Sequence, residues 1–454
     1  MRAFARQMTE RMKAVAAVGA VAAFWLAVWV FAAALVAQPL ILPGPCAVVV
    51  ALLRLVCDAN TWAILAGSGA RILDGLALAA VCGGVLAGVS VRSRTFSRLV
   101  APALSFVKAT PVACVVVLLL IWLGSARVSI AAVFLMALPG VYFSLVEGLT
   151  QADKPLEQMF RLHGVRGWRL FCAHTWREVL AFVLSCARAV IGMSWKAGVA
   201  AELIGMAAGT VGERIYQAKL LIETADLLAW TVLVVAASWA CERVLVWLLR
   251  ASGPAAWRAA VRAHGRAGGS AGGGAAAELA FAVGDRAPWA PALDGLVLNV
   301  PAGGRICVMG ASGMGKSTLL SLAAGECAPC SMVFQDVRLV EDVSALDNVL
   351  VCADARVDAS SATALLRLLV PGVDVHARVA ELSGGQRRRV EIARALLCPG
   401  DAVILDEPFT GLDAAARDAC AEVVLDLLDG RMLLFATHDA ADARALNISD
   451  IITL

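Results

Sequence analysis

A glycine-rich run, GASGMGKST at residues 310–318, has the residue types needed to hold a phosphate chain. Gly310, Gly313 and Gly315 let the backbone bend tightly enough for its N–H groups to converge on an anion. Lys316 has the reach to meet β- and γ-phosphates, Ser317 can offer its hydroxyl to Mg²⁺, and Ser312 and Thr318 complete the candidate cradle. A second apolar run, AVILDE at residues 402–407, ends in two carboxylates. Asp406 is the candidate Mg²⁺ partner and Glu407 the candidate base for an attacking water. LSGGQ, residues 382–386, reads as a further glycine-rich cradle opening a helix. Gln335 in VFQD and His438 after FAT also stand where apolar runs end. A lone Gln or His is ordinary surface or core filler, so these two gain weight only from their order and spacing relative to the rest.

Such groups must be carried by strands that stop together and by helices that start there. Residues 305–309 are a short apolar run before the first cradle, and STLLSLAAG after it is helix-like. From residue 279 to the end the chain resembles the ATP-binding cassette (ABC) ATPases, an α/β P-loop NTPase fold. The resemblance implies ATP and Mg²⁺ as cofactors and two cassettes clamping two ATPs between them. Ser383, Gly384, Gly385 and Gln386 would then contact the nucleotide of a second copy, and Asp413 in GLDA would communicate across the interface. Gln335 would sense Mg²⁺ and water, and His438 would hold the γ-phosphate. Such cassettes stack adenine on an aromatic residue after the first strand. Here Phe281 and Gly284 match the pattern, but Val283 stands where that aromatic belongs. Trp289 either replaces it or packs as loop filler against Pro288 and Pro291.

The 454 residues are 60% hydrophobic, too apolar for a soluble enzyme of two or three domains. The net charge of +3 hides an uneven division. Residues 278–454 carry 24 acidic and 14 basic side chains, and the remainder 12 and 25. Hydropathy predicts a helical membrane domain over residues 1–250 with six spans, near 14–37, 71–91, 102–123, 127–149, 178–204 and 226–249. LILPGP and the short run to Cys57 read as an interfacial or re-entrant piece. Arginines and lysines crowd the N-terminus, the second–third loop, the fourth–fifth loop and the tail. That bias puts the N-terminus and the cassette in the cytoplasm of a multi-pass inner (plasma) membrane protein. The basic residues flank apolar runs, which gives no sign of nucleic acid. Residues 251–277, ending in RAGGSAGGGAAA, read as a flexible linker, and 278–454 as the cassette.

The fourth–fifth loop, LEQMFRLHGVRGWRL at residues 156–170, has a helix–turn–helix pattern with Gly164 at the break. It resembles the loop by which ABC importer permeases insert into a groove on their ATPase. Glu157 and Gly164 match that motif, while Gln158 and Met159 replace its two alanines. LILPGP, KATPVACVVVLLLIWLG and AAELIGMAAGTVGERI are similar to permeases for nitrate, sulfonates and taurine. The resemblance implies a fused half-transporter of type I importer kind that dimerises in the bilayer. An extracytoplasmic solute-binding protein would deliver a small solute. The alternatives are an exporter half-transporter, disfavoured by the short second–third loop, and a non-transporting ATPase of an envelope machine. Lys196 and Glu202, inside a span, are either pathway residues or structural. The 13 cysteines show no paired framework, and a solitary CxxC, Cys327 to Cys330, is a weak metal or redox signal.

Overall fold

A computed structural model describes residues 2–263, 278–283, 293–327 and 330–454. The chain divides into two compact units, Met1–Gln151 with Val179–Ala251, and Ala152–Glu178 with Ser252–Leu454.

The first unit is built from helices α1 (Arg2–Val36), α2 (Pro45–Cys57), α3 (Ala59–Arg92), α4 (Arg94–Ala109), α5 (Val112–Leu123) and α6 (Ser125–Gln151). It is completed by most of α9 (Trp176–Gly205), by α10 (Val211–Leu220) and by most of α11 (Thr224–Arg262). The intervening α7 (Lys154–Leu162) and α8 (Gly167–Leu170) belong to the second unit. Five helices are long and apolar enough to cross a membrane, or six if a bent pair is one span. Apolar side chains such as Phe106, Trp122 and Trp239 point outward, as they must in lipid.

That bent pair corrects the sequence reading of a continuous third span. α4 and α5 meet at 103° across Thr110 and Pro111. Proline disfavours helical backbone in the residue before it and has no N–H for the ladder. Thr110 accordingly sits at φ −76°, ψ 129°, and its hydroxyl donates to the Phe106 carbonyl at 2.8 Å. The second span also starts earlier than hydropathy suggests, at Ala59 rather than near 71, with Asp58 capping it through the Asn60 N–H at 3.0 Å. Its first turns carry Thr61, Ser68 and Arg71, which lower the hydropathy although Thr61 and Ser68 are buried.

Glu202 on α9 is fully buried and accepts from Ser68 Oγ at 2.9 Å and Arg71 Nε at 3.2 Å. The Gly212 N–H reaches the same carboxylate at 3.4 Å, so its oxygens are occupied by α3 and α10. That geometry is a structural clamp. Lys196, one turn and a half earlier, is exposed.

The second unit holds β1 (Leu279–Ala282) and β2 (Val297–Val300), an antiparallel pair, and a parallel sheet. The sheet comprises β3 (Arg305–Met309), β4 (Ser331–Val333), β5 (Ala402–Asp406), β6 (Met432–Thr437) and β7 (Asp450–Thr453), in the order β4-β5-β6-β3-β7. Apolar β5 and β6 are buried along their whole length, as strands covered on both faces must be. One face packs against α12 (Lys316–Glu326), β1, β2, α7 and α8. The other carries α13 (Ala345–Leu350), α14 (Ala359–Leu369), α15 (Gly384–Leu397), α16 (Ala414–Asp426) and α17 (Ala440–Ala445).

The expected linker is also shorter than read. α11 runs on to Arg262 because Trp257 and Ala260 are buried in the core of the second unit. The Arg177 guanidinium lies 5.1 Å from the Trp257 ring centroid. Residues 264–277 lie outside those described, as do Gly284 and Trp289.

Close helix approach in the first unit yields a direct test. A Cβ on Gly75 would lie 2.6 Å from the Ile130 carbonyl oxygen and 2.8 Å from Val133 Cβ, both on α6. A Cβ on Gly88 of the same helix would meet nothing within 4 Å. Gly75→Ala should therefore destabilise the purified protein by about 1–3 kcal/mol, seen as a lowered thermal midpoint in detergent. Gly88→Ala should not. Equal midpoints would mean that the α3–α6 spacing is not set by this contact.

Candidate active site

The parallel register brings the predicted residues to one edge. Met309 pairs with Thr437, Asp406 with Ala436, and Val333 with Leu405. The strands therefore end level, and Gly310, Gln335, Glu407 and His438 follow them at the carboxyl edge, where open α/β sheets bind ligands. Gly313 and Gly315 have φ of +88° and +95°, which a side chain would strain. Gly310 leaves no spare room, since a Cβ there would stand 3.1 Å from the Leu454 carbonyl oxygen.

Lys316 opens α12 and is buried. Its ammonium donates to the Gly310 and Ala311 carbonyls at 2.7 and 3.0 Å, which holds the loop in a cradle shape. Nζ is 3.9 Å from Glu407 Oε1, so the ammonium and the candidate base face the same space. His438 Nδ1 is 3.3 Å from the same oxygen. Glu407 has φ +47°, a left-handed conformation rare outside glycine, fixed by its N–H donating to the Ala436 carbonyl at 2.9 Å. Such strain is held where the surrounding structure over-determines it.

Asp406 is buried, and its Oδ1 has no hydrogen-bond partner. Burial pushes its carboxyl above the usual carboxylate range, the Ser317 hydroxyl opposes this, and neighbouring Glu407 adds to it. An orphaned buried carboxylate oxygen beside a serine hydroxyl is the donor set a hard divalent cation takes. Ser312, Ser317 and Thr318 all lie on the cradle or its helix.

The second glycine run is capped as its sequence suggests. Ser383 Oγ accepts the Gln386 N–H at 3.3 Å, and Gln386 Oε1 accepts the Ser383 N–H at 2.8 Å. Ser383 and Gly384 are exposed, and a Cβ on Gly384 would meet nothing within 4 Å. Asp413 caps α16 through the Ala416 N–H at 2.8 Å. Val283, at the position expected to be aromatic, is buried in the core, with its N–H bonded to the Leu296 carbonyl at 3.0 Å.

Sequence reading missed what orients Gln335. Its side chain is exposed, but its carbonyl and that of Phe334 both accept from the Arg388 guanidinium on α15. Arg388 pairs with Glu391 at 3.0 Å, Arg394 stands 3.6 Å from the same residue, and the Arg338 N–H donates to Glu391 Oε1 at 2.6 Å. Arg338 Nη1 in turn donates to the Pro155 carbonyl of α7 at 3.2 Å. The available signal was RRRVEIAR after LSGGQ, charges at helical spacing on a helix with an apolar face.

α7 itself is seated by its buried Leu156, Met159 and Phe160. Met159, where the importer motif has alanine, is one of the fully buried side chains of this core. The Cys330 N–H donates to the Leu162 carbonyl at 3.0 Å, Arg169 to the Val351 carbonyl at 2.9 Å, and Arg177 pairs with Asp342. Gly164 turns the chain at φ +75°.

The ABC transporter family model matches residues 293–410, and the model for the binding-protein-dependent transport system inner membrane component matches residues 80–258. An aliphatic sulfonates import ATP-binding protein of Paracoccus denitrificans is 34% identical over 179 residues, 36% of this chain and 72% of that one. A taurine import ATP-binding protein of Pseudomonas aeruginosa is 38% identical over 33% of this chain and 66% of its own. A thiamine import ATP-binding protein of Jannaschia is 35% identical, over 33% of this chain and 77% of its own. The chain thus belongs to the ABC transporter family, as a multi-pass permease and an ATP-hydrolysing cassette in one polypeptide.

Proposed function

We propose that the chain is one half of an importer that dimerises in the inner membrane and takes up a small solute from an extracytoplasmic binding protein. The observation that carries this reading is the seating of α7 in the cassette unit. The buried Leu156–Met159–Phe160 face and the Gly164 turn supply the docking element that importer permeases use. The interval between α3 and α4 is Ser93 alone, which leaves no cytoplasmic extension of the exporter kind. Relatives named for sulfonates, taurine and thiamine differ in solute, so likeness in the cassette does not select one.

The chemistry follows from the groups at the strand edge. Mg²⁺ bound with ATP would be held by Asp406 and Ser317, with Gln335 beside it, and would neutralise charge on the phosphates. The N–H groups of residues 310–318 and Lys316 bind the phosphates in ground and transition states alike. Glu407 takes the proton of the attacking water, and His438, next to its carboxylate, orients toward the γ-phosphate. Each chain carries one cradle and one exposed Ser383–Gly384 run, so two copies make two composite ATP sites. Closure of those sites would drive the α7 elements together and change access to the pathway.

Uptake of taurine, an alkanesulfonate, thiamine and bicarbonate should be measured in cells expressing the chain with a candidate binding protein. Energy-dependent accumulation of one solute is expected, and extrusion instead would overturn the import reading. Glu407→Gln should keep ATP affinity while hydrolysis and uptake fall by orders of magnitude, because the cradle survives and the base does not. Near-normal turnover in that variant would place the base elsewhere. Gly164→Val forces a β-branched residue into a left-handed turn. Uptake should fall several-fold more than basal ATP hydrolysis. Equal loss of both in folded protein would make Gly164 a general stability residue.

A further inference from the structure

Three metal-binding side chains outside the nucleotide site meet beneath the seated α7 helix. His163 is the C-cap of α7, Cys398 is the C-cap of α15, and Cys352 lies in the turn after α13. One ring nitrogen of His163 and the two sulfurs all lie within 4.8 Å of one another, and all three residues are buried. Tetrahedral Zn²⁺, with Zn–S of about 2.3 Å and Zn–N of about 2.0 Å, sets its ligand atoms about 3.5–3.8 Å apart. Small side-chain shifts therefore bring the trio onto a single ion.

The surroundings supply what such a site needs. A metal-bound imidazole donates from its other nitrogen, usually to a carbonyl or carboxylate. The Met332 carbonyl oxygen is 3.2 Å from His163 Nε2 and can receive that proton, which gives Nδ1 to the ion. Met159 Sδ lies 3.1 Å from Nδ1, a thioether within reach of the fourth position. Without an ion, Nε2 accepts the Met332 N–H at 3.0 Å, and binding through Nδ1 exchanges that bond for one from Nε2–H to the Met332 carbonyl.

Charge is compatible as well. Arg169 donates to the Val351 carbonyl at 2.9 Å, Arg431 to the Cys398 carbonyl at 3.3 Å, and Arg394 Nε is buried without a hydrogen-bond partner. Guanidinium groups favour thiolates, the ligand form of cysteine. Two thiolates with Zn²⁺ are neutral together, so the ion adds no charge to these arginine-rich surroundings. The CxxC pair noticed in the sequence is different. Burial pushes Cys327 up to about 11 and Cys330 up to about 12. The Cys330 thiol donates to the Ala324 carbonyl at 3.5 Å, and Cys330 serves α7 through its backbone.

We propose that His163, Cys352 and Cys398 bind Zn²⁺, and that this ion pins the docking helix to the cassette, apart from the ATP site. The full-length transporter, without a polyhistidine tag and stripped with chelator, should be titrated with Co²⁺ as a spectroscopic stand-in for Zn²⁺. An intense thiolate-to-cobalt charge-transfer band should appear, saturate in proportion to chain and bleach on addition of Zn²⁺. Cys352→Ser/Cys398→Ser should abolish the band, and Cys327→Ser/Cys330→Ser should keep it. Zn²⁺ should raise the thermal midpoint of the wild type by several degrees and leave Cys352→Ser/Cys398→Ser unmoved. Absence of the band in the wild type, or its survival in the Cys352→Ser/Cys398→Ser chain, would overturn the proposal. Should that double variant not fold, X-ray absorption of the Zn²⁺-loaded wild type decides. Sulfur neighbours around the metal support the site, and nitrogen and oxygen neighbours alone exclude it.

Discussion

A single carboxylate organises the catalytic unit from inside. Glu391 has no solvent exposure and sits between Arg388 and Arg394 with the Arg338 N–H on its Oε1. Burial pushes its carboxyl upward, and the two guanidinium groups oppose that. Stripping a partner from such an arrangement costs about 3–5 kcal/mol, because a buried charge is left behind. Around it hang the pieces that must agree. α15 begins at exposed Gly384, Arg388 fixes the Gln335 backbone, and Arg338 reaches the Pro155 carbonyl of α7. One buried cluster thus joins the Ser383–Gly384 end of α15, the backbone of Gln335 and α7.

The strand edge and this cluster divide the work. Level strand ends place Lys316, Glu407 and His438 within a few ångströms, with Lys316 Nζ 3.9 Å and His438 Nδ1 3.3 Å from Glu407 Oε1. These contacts are made within one chain. Ser383 and Gly384 are capped and exposed, with open space above Gly384. The membrane helices answer a different constraint. Glu202 is tied down by Ser68 and Arg71, so the charge that hydropathy flagged is held by the fold itself.

The candidate phosphate cradle was legible where backbone conformation forces a residue type. A loop with positive φ at Gly313 and Gly315 needs glycine, and a strand that ends in Asp406-Glu407 announces itself by its apolar run. The bend at Thr110–Pro111 was hidden because proline within an apolar run can kink or break a helix, and hydropathy does not distinguish the two. The extension of α11 through 251–262 was missed because Gly253 and Pro254 read locally as a helix end, while the burial of Trp257 and Ala260 depends on a core that the local sequence does not show. The Glu391 cluster and the His163–Cys352–Cys398 group were invisible for a related reason. His163, Cys352 and Cys398 come from separate elements, and the surface-like run RRRVEIAR, which carries Arg388, Glu391 and Arg394 on one helix, does not show which charges turn inward.

The account depends on ATP sites shared between two copies, and mixed dimers test that most directly. Lys316→Ala removes the phosphate lysine of one chain, and Ser383→Arg blocks the signature of the other. A heterodimer of the two concentrates both defects in one composite site and leaves the second intact. ATP hydrolysis by purified heterodimers should recover to a substantial fraction of wild type, although each homodimer alone is inactive. Assembled heterodimers with no hydrolysis above either homodimer would contradict the shared-site arrangement.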